Sequence, residues 1–450
     1  MAFTKQESFQ PGQSRILILS WLTYTLAYTL RVNIAVVIPL LVTDRGFTFA
    51  QMGILTSLYF MTYMFGQLIS GYLGDHLSSK LMIISGLFIS ALCNVGMAYM
   101  PSLTALYFCW AINGLAQSML WAPLIKAQSV WFARYQLERV AFIMAQTTVA
   151  GYAVSWGLSS LLAANFGWQY AFLVPAAMVM AFIVLMIVLF HSHPADGKDH
   201  QPGNKKAPDL AIAAASADTS PAAGKDKKKE KTGSGSEHRQ KPLSIWKYFR
   251  LIQLPGLLLL AICQGLIREG ISVWFPTILQ ASGRISLQRS WLVLIVIPLI
   301  NFAGILFVRH TNHRLQRDSL KTVLFIFGIM TGMAIILSVM NPFSFWFVIL
   351  LLVFLLSLAN GLTPILVSVI PFQYAQYRKV ALTVGVLDFA IYLGAAISGA
   401  ASGMIVDRYS WTGVIYLWLG SAVSGLLISV YRSARQKNKK RIEQHIHHSQ

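Results

Sequence analysis

The segment LILSWLTYTLAYTLRVNIAVVI, residues 17–38, is apolar for long enough to cross a bilayer and carries one charged residue, Arg31. A membrane-spanning helix needs about 20 apolar residues, because the hydrocarbon core is about 30 Å thick. A charged side chain at that depth costs on the order of 2.5–3.5 kcal/mol, so Arg31 requires a partner or a wet cavity. The segment therefore predicts a membrane helix that carries a functional cation.

The whole chain repeats this pattern. Its 450 residues are 56% hydrophobic and only 12% charged, whereas a soluble domain is about 25% charged. We predict an all-α polytopic membrane protein with twelve transmembrane helices in two six-helix, pseudo-symmetric halves. The predicted spans lie near 17–38, 51–73, 80–100, 103–127, 140–163 and 169–191, and near 252–279, 288–308, 319–340, 344–370, 380–405 and 411–431.

Composition divides the chain further and orients it. The two halves, 1–191 and 249–432, are separated by a basic, disordered linker at 192–248 and followed by a basic tail at 433–450. Lysine and arginine near the span ends fall mainly on one side, which predicts a multi-pass protein of the cell (inner) membrane with both termini cytoplasmic. The net charge of +20 is thereby explained by topology and by lipid contact, so no nucleic-acid partner is expected. A monomer is expected.

Short motifs recur between the halves. Arg31 stands eight residues before Pro39, as Arg268 stands before Pro276; Asn113-Gly114-Leu115 recurs as Asn360-Gly361-Leu362; and Val140-Ala141 with Tyr152 recurs as Val380-Ala381 with Tyr392. The offsets of 237, 247 and 240 residues are nearly constant. They indicate a parallel duplication of one six-helix unit, which places a shared cavity on the axis between the halves.

The two arginines at equivalent repeat positions predict an anion site. Arg31 and Arg268 both fall near mid-membrane, and two guanidiniums that face one cavity repel unless an anion lies between them. Their planar donor groups suit bidentate phosphate or carboxylate binding. The competing interpretation is neutralisation by Glu269, but neighbouring helix residues point about 100° apart, so we expect Glu269 to face elsewhere.

Tyr24 and Tyr28 share the helix face of Arg31, and Gln264 shares that of Arg268. Asp388 precedes Tyr392 by four residues and is a candidate for an ion pair or for proton coupling, as is Glu269. Lys126 either lines the cavity or extends towards the interface. The predicted substrate-binding set is Arg31, Arg268, Tyr24, Tyr28, Lys126, Gln264, Tyr152 and Tyr392.

The stretch from Gly71 to Lys80 predicts a gate. Gly71 and Gly74 allow close helix approach, and Asp75 can accept a bond from a neighbouring helix in one conformation only, with Lys80 following. No phosphate-binding loop or nucleophile triad occurs. We therefore expect no enzyme activity, no cofactor and no metal site.

The Gly71 to Lys80 stretch and the twelve-span duplication resemble the major facilitator superfamily. Within it, YTLRVNIAVVIPL (28–40), GLAQSMLWAPLIKAQSVW (114–131), GWQYAFLVPA (167–176) and GLIREGISVWFPTIL (265–279) resemble the organophosphate:phosphate antiporter family. In that family an arginine on span 1 and another on span 7 bind the substrate phosphate, and they match Arg31 and Arg268. The resemblance implies exchange of a phosphorylated metabolite for inorganic phosphate by alternating access.

Two alternatives remain open. The segment Arg31 to Ala35 also resembles the anion:cation symporter family, whose members move organic carboxylates with protons or sodium. In that case Asp388 or Glu269 would carry the proton. The second alternative is a non-transporting membrane sensor of a sugar phosphate, in which the long charged linker would serve as a docking segment.

Overall fold

The computed structural model describes residues 9–133, 135–191, 244–281, 285, 287–339, 345–374, 377 and 379–448, without the side chains of residues 75, 138, 287, 288, 381 and 436–448. Residues 192–243, most of the predicted basic linker, lie outside the described residues. The last residues predicted as linker form part of a short helix, Ile245–Leu251, instead. That prediction was wrong because Tyr248 is buried and its hydroxyl shares a 2.7 Å hydrogen bond with Thr383 Oγ1.

The first half contains the six predicted spans, and two of them are interrupted. Span 1 comprises Pro11–Thr29 and Asn33–Arg45, and span 4 comprises Leu103–Ser118 and Trp121–Trp131. The continuous helices are span 2 (Phe49–His76), span 3 (Ser79–Tyr99), span 5 (Leu137–Phe166) and span 6 (Tyr170–Leu189). Thr48, Ser78 and Ser102 cap spans 2, 3 and 4 by accepting a backbone N–H bond, which satisfies an otherwise free donor.

The second half repeats this arrangement. Span 7 is Leu254–Ala281, span 8 is Leu287–Arg314 and span 9 is Ser319–Val339. Span 10 begins as Phe345–Pro364 and continues through a π-helical turn, Ile365–Val369, into Ile370–Phe372. Spans 11 and 12 lie in one helical segment, Val380–His448, which breaks at Ser410, where φ is 61°. The prediction of twelve helices is confirmed.

The helices are suited to a bilayer. Among the described residues, nine helical segments are long and apolar enough to cross a membrane, and one of them, Leu382–Arg435, holds spans 11 and 12 together. Spans 4 and 5 complete the twelve. Large apolar side chains such as Phe108, Val184 and Leu427 are exposed on the outside of the bundle, where lipid rather than water is the favourable solvent.

The two halves meet most closely at the face opposite the termini. Because twelve spans alternate in direction, the start of span 1 and the end of span 12 lie at one face. At the other face the carboxylate of Asp407 accepts from Phe49 N at 3.1 Å and from Ala50 N at 2.8 Å. Nearby, a Cβ on Gly53 would collide with the carbonyl oxygen of Gly399. Spans 2 and 11 therefore pack backbone to backbone there, as small residues permit in membranes.

Spans 5 and 8 form the second contact between the halves. The hydroxyl groups of Ser160 and Ser290 lie 2.6 Å apart in a buried hydrogen bond. Deeper in the bundle, Trp156 of span 5 stacks on Phe275 of span 7 with ring centroids 6.4 Å apart. Together with spans 2 and 11, these contacts enclose the space around spans 1 and 7, where the predicted site lies.

Candidate functional site

Arg31 lies in the interruption of span 1, and buried amide side chains stabilise that interruption. The N–H of Ile34 donates to Asn33 Oδ1 at 3.0 Å. It therefore does not donate to the carbonyl of Leu30, as it would in a regular helix. The Leu30 carbonyl accepts instead from Asn94 Nδ2 and Asn113 Nδ2, each at 2.9 Å. A free buried carbonyl in a membrane is costly. These amides therefore hold open the turn that presents Arg31.

Further bonds join the amides into one network across spans 1, 3 and 4. Gln117 Nε2 donates to the Ala27 carbonyl at 3.0 Å and to Ser90 Oγ at 2.9 Å. Ser90 Oγ donates to Asn113 Oδ1 at 2.5 Å, and Asn33 Nδ2 donates to Asn94 Oδ1 at 2.8 Å. All five side chains are buried. A satisfied buried network of this kind fixes one local geometry.

The guanidinium of Arg31 is buried against tyrosine rings. Its Cζ lies 4.3 Å from the centroid of the Tyr28 ring and 5.6 Å from that of Tyr63. Arg31 is 8% exposed. Within the described part of the chain, no hydrogen bond or ion pair involves its side chain, and the two ring faces supply cation–π contacts instead. The donor hydrogens of Arg31 are thus available to a ligand.

Arg268 lies in an uninterrupted helix and does have protein partners. Its Nη2 donates to Glu269 Oε1 at 2.6 Å, and its Nη1 donates to Thr363 Oγ1 at 2.9 Å. Its Nε is buried and has no partner among the described residues. Our expectation that Glu269 faces elsewhere was wrong. The Cβ atoms of neighbouring residues do diverge, but the long arginine side chain turns back towards the adjacent carboxylate.

A small cavity lies between the halves and brings the two charged regions together. Arg31 lines it from span 1 and Glu269 lines it from span 7, with Tyr152 from span 5 between them. The Tyr152 hydroxyl donates to Glu269 Oε2 at 3.4 Å. The lining also includes Tyr59, Phe60, Trp110 and Ser272. A cavity with apolar walls and a few convergent polar groups is the usual form of a small-molecule site.

Span 11 contributes Asp388 and Tyr392 to the same region. Side chains at Gly265 and Gly394 would collide with backbone carbonyls of the facing helix, so spans 7 and 11 approach closely. Asp388 lies within electrostatic range of Arg268 and Arg31. The Tyr392 ring packs against Tyr63 with centroids 4.7 Å apart. The predicted face of span 11 therefore joins the arginine cluster.

Gln264, Tyr24 and Tyr28 lie in the surrounding layer. Gln264 Nε2 donates to the Ala359 carbonyl at 2.7 Å and to Thr363 Oγ1 at 2.8 Å. The Tyr28 hydroxyl shares a 3.1 Å bond with Thr148 Oγ1, and its ring contacts Tyr24 with centroids 5.5 Å apart. Gln264 and Tyr24 thus contact neighbours of the arginines, whereas Tyr28 also contacts Arg31 itself.

Lys126 lies elsewhere. Its Nζ donates to the carbonyl of Gly74 at the end of span 2, and it does not line the cavity. In this structure its four-carbon chain runs towards the helix end, as in the interfacial alternative, and its assignment to the substrate site stays a prediction. Lys80 Nζ donates to the Ile187 carbonyl at 2.6 Å. Gly74 is buried and Gly71 exposed, while the side chain of Asp75 lies outside the described residues.

The sequence prediction missed Thr363 and the buried amides. Thr363 Oγ1 accepts from both Arg268 and Gln264, so it ties span 10 to the second arginine. Asn33, Asn94, Asn113 and Gln117 were visible as amides inside apolar spans, which is a costly placement unless each is bonded. That cost is the signal that could have identified them.

Comparison with known proteins gives the family. A model of the Major Facilitator Superfamily matches residues 20–382, more than half of the chain, so the chain belongs to that superfamily of multi-pass membrane transporters. In fold it is similar to a bacterial homolog of the human lysosomal transporter Spinster, with a TM-score of 0.69 at 12% identity over 96% of this chain and 98% of that one.

Two of three relatives by sequence are named as transporters of phosphorylated compounds, and the third is named as a sensor. The chain is 24% identical over 182 residues to a probable hexose phosphate transport protein of Chlamydia trachomatis, which covers 40% of each chain. It is 23% identical over 410 residues to the glycerol-3-phosphate transporter of Bacillus subtilis, covering 89% of this chain and 87% of that one. It is also 20% identical over 432 residues to the membrane sensor protein UhpC of Escherichia coli, covering 93% and 92%.

Proposed function

We propose that this chain exchanges a phosphorylated metabolite for inorganic phosphate across the cell membrane by alternating access, as a monomer with both termini cytoplasmic. The observation that carries the proposal is the buried guanidinium of Arg31, which has no hydrogen-bond or ion-pair partner among the described residues and faces a cavity shared with the Arg268 region. A dianion would satisfy both arginines at once.

The proposed cycle follows from the repeat architecture. Arg31 belongs to the first half and Arg268 to the second, so an anion bound by both draws the halves together. Binding energy that differs between conformations is what drives a change of access. Spans 2 and 11 are in contact at the face opposite the termini, so those contacts must separate when the cavity opens to that face.

Names of relatives support the phosphate class. One relative is a probable hexose phosphate transport protein and another is a glycerol-3-phosphate transporter. The guanidinium geometry also fits a phosphate, whose oxygens accept two parallel N–H bonds.

The test is competition in proteoliposomes loaded with phosphate. Labelled phosphate uptake by the purified protein should be inhibited by unlabelled glycerol 3-phosphate or a hexose phosphate and should be insensitive to succinate at the same concentration. Inhibition by succinate alone, without any phosphate exchange, would contradict the proposal and favour carboxylate symport. Protein-free liposomes give the background.

A further inference from the structure

Glu269 is the feature that anion exchange leaves unexplained. A carboxylate lines the cavity in which an anion is to bind, and its side chain is only 6% exposed. An acidic group repels an incoming phosphate unless it moves or loses its charge. Its position directly on Arg268 suggests that it does both.

The contacts of Arg268 show how an anion would compete. The Nε–H and Nη2–H groups of a guanidinium point the same way and form an edge that fits two oxygens of one phosphate. Glu269 Oε1 occupies only Nη2 on that edge, at 2.6 Å, while the buried Nε has no partner in the described chain. Thr363 holds Nη1 from the other side at 2.9 Å. Of the two donors on this edge, Nη2 is bonded to Glu269 and Nε has no partner among the described residues.

Binding of a dianion would change the charge balance around Glu269. The charged and hydroxyl groups around the Arg268–Glu269 pair are Tyr152 of span 5, Asp388 of span 11 and Arg31 across the cavity, and Tyr392 of span 11 lies near Arg268. Asp388 is a second carboxylate, and both arginines would be engaged by a bound dianion. A buried carboxylate that loses its cationic partner favours the protonated form.

We propose that the substrate anion displaces Glu269 from Arg268 and that the displaced carboxylate takes up one proton, so that anion and proton bind together. The inference rests on the proposed function. In this step the Nη2–H···Oε1 bond breaks, two N–H···O bonds form from Nε and Nη2 to phosphate oxygens, and a hydronium ion from the solvent transfers a proton to Glu269, which forms an O–H bond and leaves water. When the anion leaves, the proton leaves and the ion pair with Arg268 forms again.

The proposal fixes how affinity depends on pH. Because one proton binds with each anion, the dissociation constant for phosphate rises about tenfold per pH unit wherever Glu269 is ionised in the empty site. Glu269→Gln keeps the side-chain shape and an oxygen for Nη2 but carries no charge and takes up no proton. Its phosphate binding should therefore vary with pH only through the ionisation of phosphate itself, which is common to every variant.

The experiment is a titration of the purified full-length protein with inorganic phosphate, followed by tryptophan fluorescence between pH 6 and 8.5. The ratio of the wild-type to the Glu269→Gln dissociation constant should rise with pH, by about tenfold per unit at most. Glu269→Asp keeps the carboxylate and should retain the pH dependence of the wild-type chain. Thermal unfolding of each variant checks that it is folded.

Three results would overturn the inference. The first is a ratio that stays constant across the pH range. The second is loss of phosphate binding by folded Glu269→Gln. The third is that Asp388→Asn loses the pH dependence of phosphate binding while Glu269→Gln keeps it. Absence of phosphate binding by the wild-type chain at every pH would overturn the proposed function itself, and this inference with it.

Discussion

Replacing Asn113 by leucine should weaken phosphate binding without contacting the anion. Leucine is similar in size to asparagine but makes no hydrogen bond. The change removes the 2.9 Å bond from Asn113 Nδ2 to the Leu30 carbonyl and the 2.5 Å bond that Asn113 Oδ1 accepts from Ser90. Both bonds connect different spans, and the first one stabilises the interruption that presents Arg31.

The expected magnitude follows from those two bonds. Hydrogen bonds between membrane helices contribute about 0.6 kcal/mol each on average, so two contribute about 1.2 kcal/mol. If all of this free energy is lost from the placement of Arg31 for binding, the dissociation constant for phosphate rises about eightfold. A factor of ten in that constant corresponds to about 1.4 kcal/mol. Tryptophan fluorescence titration with phosphate measures the change.

The repeat supplies a matched control. Asn360 occupies the position equivalent to Asn113, but its Nδ2 donates at 2.9 Å to the Leu356 carbonyl of its own helix, and span 7 has no interruption at Arg268. Asn360→Leu should bind phosphate within about twofold of the wild-type chain. Equal losses in both variants, or wild-type affinity in Asn113→Leu, would refute the claim that the amide network positions Arg31.

Three further predictions concern the arginines and the linker. Arg31→Lys keeps the charge but loses the planar donor pair, so phosphate affinity should fall by more than about tenfold; an unchanged dissociation constant would make Arg31 structural. Thr363→Val removes the acceptor shared by Arg268 and Gln264 and should reduce affinity by roughly tenfold, with Thr363→Ser restoring it; equal binding by all three chains would contradict this role. Deletion of residues 198–238 should leave phosphate exchange in proteoliposomes within about twofold, whereas loss of exchange would indicate that the linker is needed for function.

The sequence predicted the number and order of the spans because hydrophobic length is set by the bilayer and is read directly from composition. It did not predict that span 1 is interrupted at residues 30–32. Hydropathy counts apolar side chains, and it does not register that the Asn33 side chain accepts the N–H of Ile34 in place of a helix carbonyl. The interruption requires partners from spans 3 and 4, which are distant in sequence.

The sequence likewise predicted some residues of the candidate site and not others. Symmetry identified Arg31 and Arg268 as a pair, since a charge at membrane depth is costly and seldom occurs twice at equivalent repeat positions without a role. The same argument from spacing failed for Glu269, because helix geometry describes Cβ directions and not the reach of a long side chain. For the same reason, spacing left two positions open for the Lys126 side chain. The structure has it in contact with the carbonyl of Gly74.

The most direct test of the central claim is exchange of labelled phosphate into phosphate-loaded proteoliposomes by the wild-type chain, Arg31→Ala and Arg268→Ala. If one dianion is bound by both arginines, the wild-type chain exchanges phosphate and each single variant loses exchange while remaining folded and inserted. Exchange that survives in either folded variant would contradict a shared site, and absence of exchange in the wild-type chain would contradict the phosphate antiporter proposal.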